Sequence, residues 1–263
     1  MDSLPEGIDK RFLDFIKVTE ESERQTHAYY LQFFQPGQQV IDLGCGAGYF
    51  VKMLAENGVE AIGIDQDTAA LKEGLPQGGS LVQGEAISYL KGLAQQSIDG
   101  IFSAHLVEHL DAPAVYTLIK EAYRVLKPGG LLLLTTPNVR ALVSHFEMFW
   151  LHFDHKRFYH PTLLQFFMQD CGFTKTFEGE NSNSVGYSVF SPALSPSSLG
   201  HLVDQDNIIP RPRSRIMYPW WRLKKWLASL IVLPYLNAFI RRRYAPALGI
   251  LDRPFEVFVI GYK

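Results

Sequence analysis

Asp42-Leu43-Gly44-Cys45-Gly46-Ala47-Gly48 sets an acid just ahead of three glycines at alternate positions, and Asp65 follows 21 residues after Gly44. Glycines at this spacing let the backbone turn tightly and let a ligand approach with no Cβ in the way. A carboxylate about 20 residues further on, at the tip of the next strand, is placed to accept hydrogen bonds from a ribose diol. A dinucleotide needs G-x-G-x-x-G, because its pyrophosphate must reach a helix N-terminus. Here the loop is G-x-G-x-G, and Asp42 beside it repels phosphate and suits a cation.

Two histidine-rich runs carry the second chemistry. Ser103-Ala-His-Leu-Val-Glu-His-Leu110 holds His105, Glu108 and His109. Phe149-Trp-Leu-His-Phe-Asp-His-Lys-Arg157 and the residues after it hold His152, His155 and His160, with Asp154, Lys156 and Arg157. An imidazole or carboxylate near neutral pH can take a proton from an alcohol, so Glu108, His109 and His155 are the candidate catalytic residues. The string H-x-x-E-H also matches a zinc-peptidase pattern, but those residues must share one helix, whereas this run straddles a strand end. A plainer reading stays open, in which Glu108 and His109 cap and orient the next helix and the loop histidines are surface or satisfied core residues.

These residues need a scaffold, and the chain supplies an alternating one. QVIDLG, EAIGID, SLVQGE, DGIFSA and GLLLLTT read as short buried strands. YFVKMLAEN, TAALKEG, ISYLKGLAQ and PAVYTLIKEAYRVL read as helices between them. In the last, Val115, Leu118, Ile119 and Ala122 keep one apolar face, and Lys127-Pro128-Gly129-Gly130 stops it. Strict alternation predicts an α/β, doubly wound, mostly parallel sheet with ligands at the strands' carboxyl ends. Residues 8–34 read as a helical lead-in, PTLLQFFMQDCGF as a helix running into a strand, and FEVFVIGYK as the last strand.

S-adenosyl-L-methionine carries an ammonium and a sulfonium and no phosphate, so the charge around Asp42 favours it over NAD. With the glycine loop, Asp65 and EAYRVLKPGGLLLLTTPN in place, residues 24 to 173 resemble the class I methyltransferases. That resemblance implies a Rossmann-like, seven-stranded fold with a helical insertion before the last strand. It implies that Asp42, Gly44, Cys45, Gly46 and Gly48 hold the methionine portion and Asp65 the ribose, while Glu85 and Ala86 bracket the adenine. Glu85 stands where the family more often has Asp. Arg24, Tyr29, Gln66 and His105 are placed on the cofactor side by the same resemblance.

Three finer similarities compete. Arg24-Gln25 ahead of Tyr29, the LVEHL segment and FWLHFDH resemble bacterial methyltransferases of polysaccharides and O-antigens. The departures from that pattern are His152, Phe153 and Asp154 in place of Asp, Pro and Thr, and Gly-Ala-Gly-Tyr in the loop. The chain also resembles ubiquinone-biosynthesis O-methyltransferases, and its Asp-His-Lys is similar to a segment of small-RNA 2′-O-methyltransferases. Members of both hold a divalent metal on Glu-x-x-Glu-His. His105 replaces the first Glu here, which disfavours magnesium, an ion that prefers oxygen ligands. No metal ligand is assigned, and a borderline metal on His105, Glu108, His109 and His155 stays open.

Charge is unevenly spread. Of 25 Lys and Arg in the chain, nine lie between Asn207 and Ile250, with no acid among them. The remainder is strongly acidic, which points to an acidic partner for that one segment. Trp220, Trp221 and Trp226 flank an apolar run, Leu227 to Ile240, that is too short to span a bilayer and contains Pro234. Such a segment suits a membrane interface or a cover over a lipid-bearing substrate, and is too apolar for a nucleic-acid groove. An inserted helical subdomain packed on the core is the alternative. The expected organisation is a methyltransferase domain over 1–190, the basic aromatic insertion over 191–250, and the last strand over 251–263. Two cysteines allow no disulfide framework, and the polar start shows no secretory h-region. The cytoplasm is the expected compartment, with peripheral contact on the inner face of the membrane. The expected activity is O-methylation of a saccharide on a lipid-linked or polymeric glycan. The alternatives are a small-molecule O-methyltransferase and, more remotely, a non-catalytic cofactor-binding module.

Overall fold

The computed structural model describes residues 5, 7–16, 18–74, 80–141, 144–145, 149–184 and 253–263. The insertion expected over 191–250 lies outside the described residues. Three segments, Met1–Val139, Ser144–Ser184 and Pro254–Lys263, build one compact unit.

Its centre is a seven-stranded sheet of β1 (Gln39–Leu43), β2 (Glu60–Asp65), β3 (Ser80–Gln83), β4 (Ile98–Ala104), β5 (Leu126–Pro137), β6 (Lys175–Glu180) and β7 (Glu256–Tyr262). Strand order is β3-β2-β1-β4-β5-β7-β6, with β1 to β5 parallel and β7 antiparallel to both its neighbours. This order reverses at β1 and β4, the crevice where doubly wound sheets bind ligands. Each strand read from the sequence is present. β5 is longer than expected, because Lys127-Pro128-Gly129-Gly130 ends the preceding helix and then stays in the sheet as a bulge. Ile98 pairs with Leu126 while Gly100 pairs with Leu131.

Helices cover both faces: α1 (Ile8–Phe15), α2 (Glu20–His27), α3 (Tyr49–Glu56), α4 (Thr68–Gly74), α5 (Ala86–Gly92), α6 (Ala112–Val125), α7 (Phe149–Leu151) and α8 (Pro161–Asp170). The lead-in is two helices, not one. Thr19 and Ser22 exchange side-chain and backbone hydrogen bonds in a capping box, which restarts the helix at Glu20. A 3-10 turn, Ala28–Phe33, follows.

Alternation along the strands splits the core in two. Ile41, Ile101, Leu132 and Val259 face α5, α6 and α8 through Leu90, Val115, Leu118 and Leu164. Val40, Phe102, Leu133 and Phe258 face the lead-in and α3 through Tyr30, Phe34, Phe50 and Leu54. Burying such side chains contributes about 1.5–3 kcal/mol each. Among the described residues, no helix is long and apolar enough to cross a membrane.

Candidate active site

The first part of the site is the turn after β1. Gly44, Gly46 and Gly48 adopt φ of 76°, 54° and 74°, left-handed values that a Cβ resists. The Gly48 amide donates to the Cys45 carbonyl at 2.8 Å, and the Gly44 amide donates to Ile64 of β2 at 2.8 Å. A Cβ on Gly48 would lie 2.6 Å from Leu81 Cδ2, whereas one on Gly46 would meet nothing within 4 Å. The loop is therefore packed on its inner side and open over Gly46. Cys45 turns its thiol inward: a Cβ on Gly63 would lie 2.6 Å from the sulfur. Burial pushes that thiol's pKa up, so it is no nucleophile.

Asp65 ends β2 beside this loop. Its Oδ2 accepts from the Gly46 amide at 2.8 Å and its Oδ1 from the Asp67 amide at 2.8 Å, while Gln66 is exposed next to it. Asp42 is 3% exposed, and among the described residues no donor reaches its carboxylate. Burial, with Asp65 nearby, pushes its carboxyl well above the usual range. A cation at the loop would supply the missing partner, and a ligand approaching over Gly46 meets no side chain. The site thus fits a cationic, ribose-bearing group without phosphates.

The remaining cofactor-side residues divide. Glu85 caps α5 by accepting from the Ile87 and Ser88 amides at 2.9 and 2.7 Å, and Ala86 begins that helix, buried. Burial raises the Glu85 carboxyl, but the two amides outweigh it and hold it below its usual value. Arg24 and Tyr29 are engaged within the protein. Arg24 Nη2 donates to Glu56 Oε2 at 2.6 Å, at the end of α3, and so pins α2 to α3. Tyr29 packs against Tyr30, Phe33 and Phe258 in the lead-in core.

His105 follows the last residue of β4 with φ 51°, an uncommon value for a non-glycine residue. It is held there on two sides: Nδ1 lies 2.9 Å from Glu108 Oε1, and Nε2 lies 2.7 Å from Glu256 Oε2. Burial lowers the His105 pKa, but the two carboxylates outweigh it and raise it well above its usual value. Glu256 also accepts from Tyr30 Oη, from Asn181 Nδ2 at 2.7 Å and from Thr135 Oγ1 at 3.2 Å. Burial raises its carboxyl, yet the His105 ring above all, with His27 and the Tyr30 hydroxyl, brings it down to about 2. Glu108 is fully buried and also accepts from Thr136 Oγ1 at 3.1 Å. One expectation changes accordingly: Glu108 is an internal partner of His105 instead of a base facing an acceptor. His105, expected on the cofactor side, is held between two carboxylates with 32% of its side chain exposed. Glu256 and Asn181 carried no sequence signal, since neither stands in a motif.

His109 does reach an open side, and the structure joins it to the second histidine run. The Glu108 carbonyl accepts from the Lys156 amide at 2.8 Å, and Tyr159 Oη donates to the Leu110 carbonyl at 3.0 Å. These bonds dock the 152–159 loop on the 107–110 turn. The rings of His109, His152 and His155 come to lie with centroids 4.7 to 4.9 Å apart. Burial and the neighbouring imidazoles push His152 down to about 4, and burial also lowers His155. Both are therefore neutral near pH 7. His160 instead caps α8 through the Thr162 amide at 3.2 Å.

With this geometry in view, comparison with known proteins is specific over the cofactor half. Residues 41–134 match the family model described as a methyltransferase domain. An uncharacterized methyltransferase of Mycobacteroides abscessus is 34% identical over 105 residues, 38% of this chain and 39% of that protein. A ubiquinone biosynthesis O-methyltransferase of Pseudomonas aeruginosa is 31% identical over 109 residues, 39% of this chain and 45% of that protein. The chain thus spans less than half the length of these curated relatives. A crystal structure of a SAM-dependent methyltransferase from Archaeoglobus fulgidus has a TM-score of 0.68 over 97% of this chain and all of that one, at 23% identity. The sheet order and the ends of its parallel strands give this chain the Rossmann-like fold of the class I methyltransferases.

Proposed function

We propose that the chain is an S-adenosyl-L-methionine-dependent O-methyltransferase. The observation that carries this reading is the convergence of the unpartnered, buried Asp42, the open left-handed turn at Gly46 and Asp65 at one edge of the sheet. When bound, the cofactor supplies an electrophilic methyl group on a sulfonium. Asp42 offsets positive charge, Asp65 accepts from the ribose, and the loop backbone lets the ligand lie close. In-line transfer needs alignment above all, and a rigid strand edge provides it. An alcohol acceptor must also lose a proton, and His109 and His155 are the half-buried imidazoles on that side.

The acceptor we favour is a hydroxyl of a saccharide carried on a lipid or polymer. Its support is the resemblance of the Arg24–Tyr29, LVEHL and FWLHFDH segments to polysaccharide methyltransferases, together with the basic, tryptophan-rich 207–250 segment suited to a lipid surface. A quinone-type small molecule is the second reading, favoured by the Pseudomonas aeruginosa relative. Mass spectrometry of cell-envelope glycans with and without the gene tests the first reading. Loss of one methyl group from a glycan is the expected result. Unchanged glycans, with S-adenosylhomocysteine released on adding a quinol, would turn the assignment to the second.

A further inference from the structure

From their convergence we infer that His109, His152 and His155 form a site for a first-row divalent transition ion of the zinc class. One ring nitrogen from each lies within 4.8 Å of the others, although two sequence segments supply them. Tetrahedral zinc with imidazole ligands needs Zn–N near 2.0–2.1 Å, hence nitrogens roughly 3.3 Å apart. Small rotations of partly buried rings close that gap.

The hydrogen bonds around two of the rings favour ligation; His152 Nδ1 accepts from the Asp154 amide at 3.3 Å, a long contact that an ion would displace. His155 Nδ1 lies 2.7 Å from the Phe149 carbonyl, an acceptor, so Nδ1 carries the proton and Nε2 keeps its lone pair. His109 Nδ1 lies 3.3 Å from Asp154 Oδ2, which sets the same tautomer. Backbone carbonyls and carboxylates on the far nitrogen are the usual outer shell of metal-bound histidines. Phe149 stacks on Phe158 at 3.8 Å and lies 4.8 Å from His155, giving the loop a stiff base. Three imidazole nitrogens suit zinc, cobalt or nickel and not magnesium or calcium. They also leave a fourth position for an oxygen. This ligand set differs from the one left open by the sequence, because His105 and Glu108 are spent on each other and His152 takes their place.

The binding of the ion is independent of the proposed activity. Its role rests on that activity: an ion here would orient the acceptor oxygen and lower its pKa, so the histidines would act as ligands instead of bases. The probe is Co2+ titrated into chelator-stripped full-length protein, with Zn2+ as competitor. We expect one ion per chain, the intense visible absorption of a tetrahedral site, and its loss to Zn2+. His152→Ala and His155→Ala should each weaken binding by tenfold or more, and Asp154→Asn by about tenfold. Should these variants not fold, imidazole 15N NMR of the unaltered protein decides: Zn2+ should shift His109, His152 and His155 together. Absence of saturable binding, an unchanged spectrum in folded His152→Ala, or imidazole signals indifferent to Zn2+ would each overturn the site.

Discussion

His105 Nε2 and Glu256 Oε2 lie 2.7 Å apart across 151 positions of sequence. The contact exists because β7 runs antiparallel. Its first residue therefore pairs with Pro137, the last of β5, at the edge where β4 delivers His105. Tyr30 from the lead-in, Thr135 of β5 and Asn181 after β6 complete the shell around Glu256. Four separate parts of the chain thus meet on one carboxylate, which holds a left-handed histidine beside the cofactor crevice.

Replacing that carboxylate by its amide tests the network. Glu256→Gln keeps the shape, removes the charge and leaves one donor facing donors. We expect a loss of about 1–3 kcal/mol in unfolding free energy, the cost of mismatching a buried polar group. Urea denaturation measures it, and an unchanged midpoint at equal slope would show that the network contributes nothing to stability.

The same groups set a pH window. Glu256 is depressed from 4.5 to about 2, so its contribution is complete above 4.5 and is lost as pH falls toward 2. His105 is raised from 6.5, so its contribution is complete below 6.5 and is lost as pH climbs through the raised folded value. Melting temperature should therefore decline on both sides, and Glu256→Gln should flatten the acid limb. Acid limbs that superimpose in the two proteins would contradict this assignment.

Asp65→Ala should weaken S-adenosylhomocysteine binding by about 1–3 kcal/mol, the cost of losing charge-assisted hydrogen bonds. Calorimetry reads the affinity directly. Equal affinities would remove Asp65 from the ribose site.

Gly74 offers a test from outside the loop. A Cβ there would lie 2.0 Å from the Ala47 carbonyl oxygen, so Gly74→Ala must push α4 and the glycine turn apart. We expect about 1–3 kcal/mol of destabilisation from overpacking, accompanied by weaker cofactor binding. A variant with wild-type melting and affinity would mean that the turn yields freely.

The 207–250 segment should carry the chain onto anionic vesicles, each basic residue contributing on the order of 1 kcal/mol near the surface. Liposome co-sedimentation at low and physiological salt measures this. Protein that stays in the supernatant at low salt, with unshifted tryptophan fluorescence, would instead support a subdomain packed on the core.

Much of the fold was legible because its signals are local. Apolar runs of strand length, helix faces with the spacing of Val115, Leu118, Ile119 and Ala122, and the stop at Lys127-Pro128-Gly129-Gly130 depend on nearest neighbours along the chain. The glycine turn and Asp65 were legible for the same reason, since a strand–turn–helix–strand unit brings them together within 21 residues. What the sequence by itself could not determine was partnership across long separations. Nothing near Glu108 marks it as buried beneath His105, and nothing near Glu256 marks it as the second half of that clamp. His152 stood unremarkably beside His155 until the Lys156 amide docked the loop on Glu108. Arg24, read as a ligand contact, reaches Glu56 because α2 packs along α3. Side chains with several compatible partners take the one that packing brings within reach, and only the tertiary structure sets which one that is.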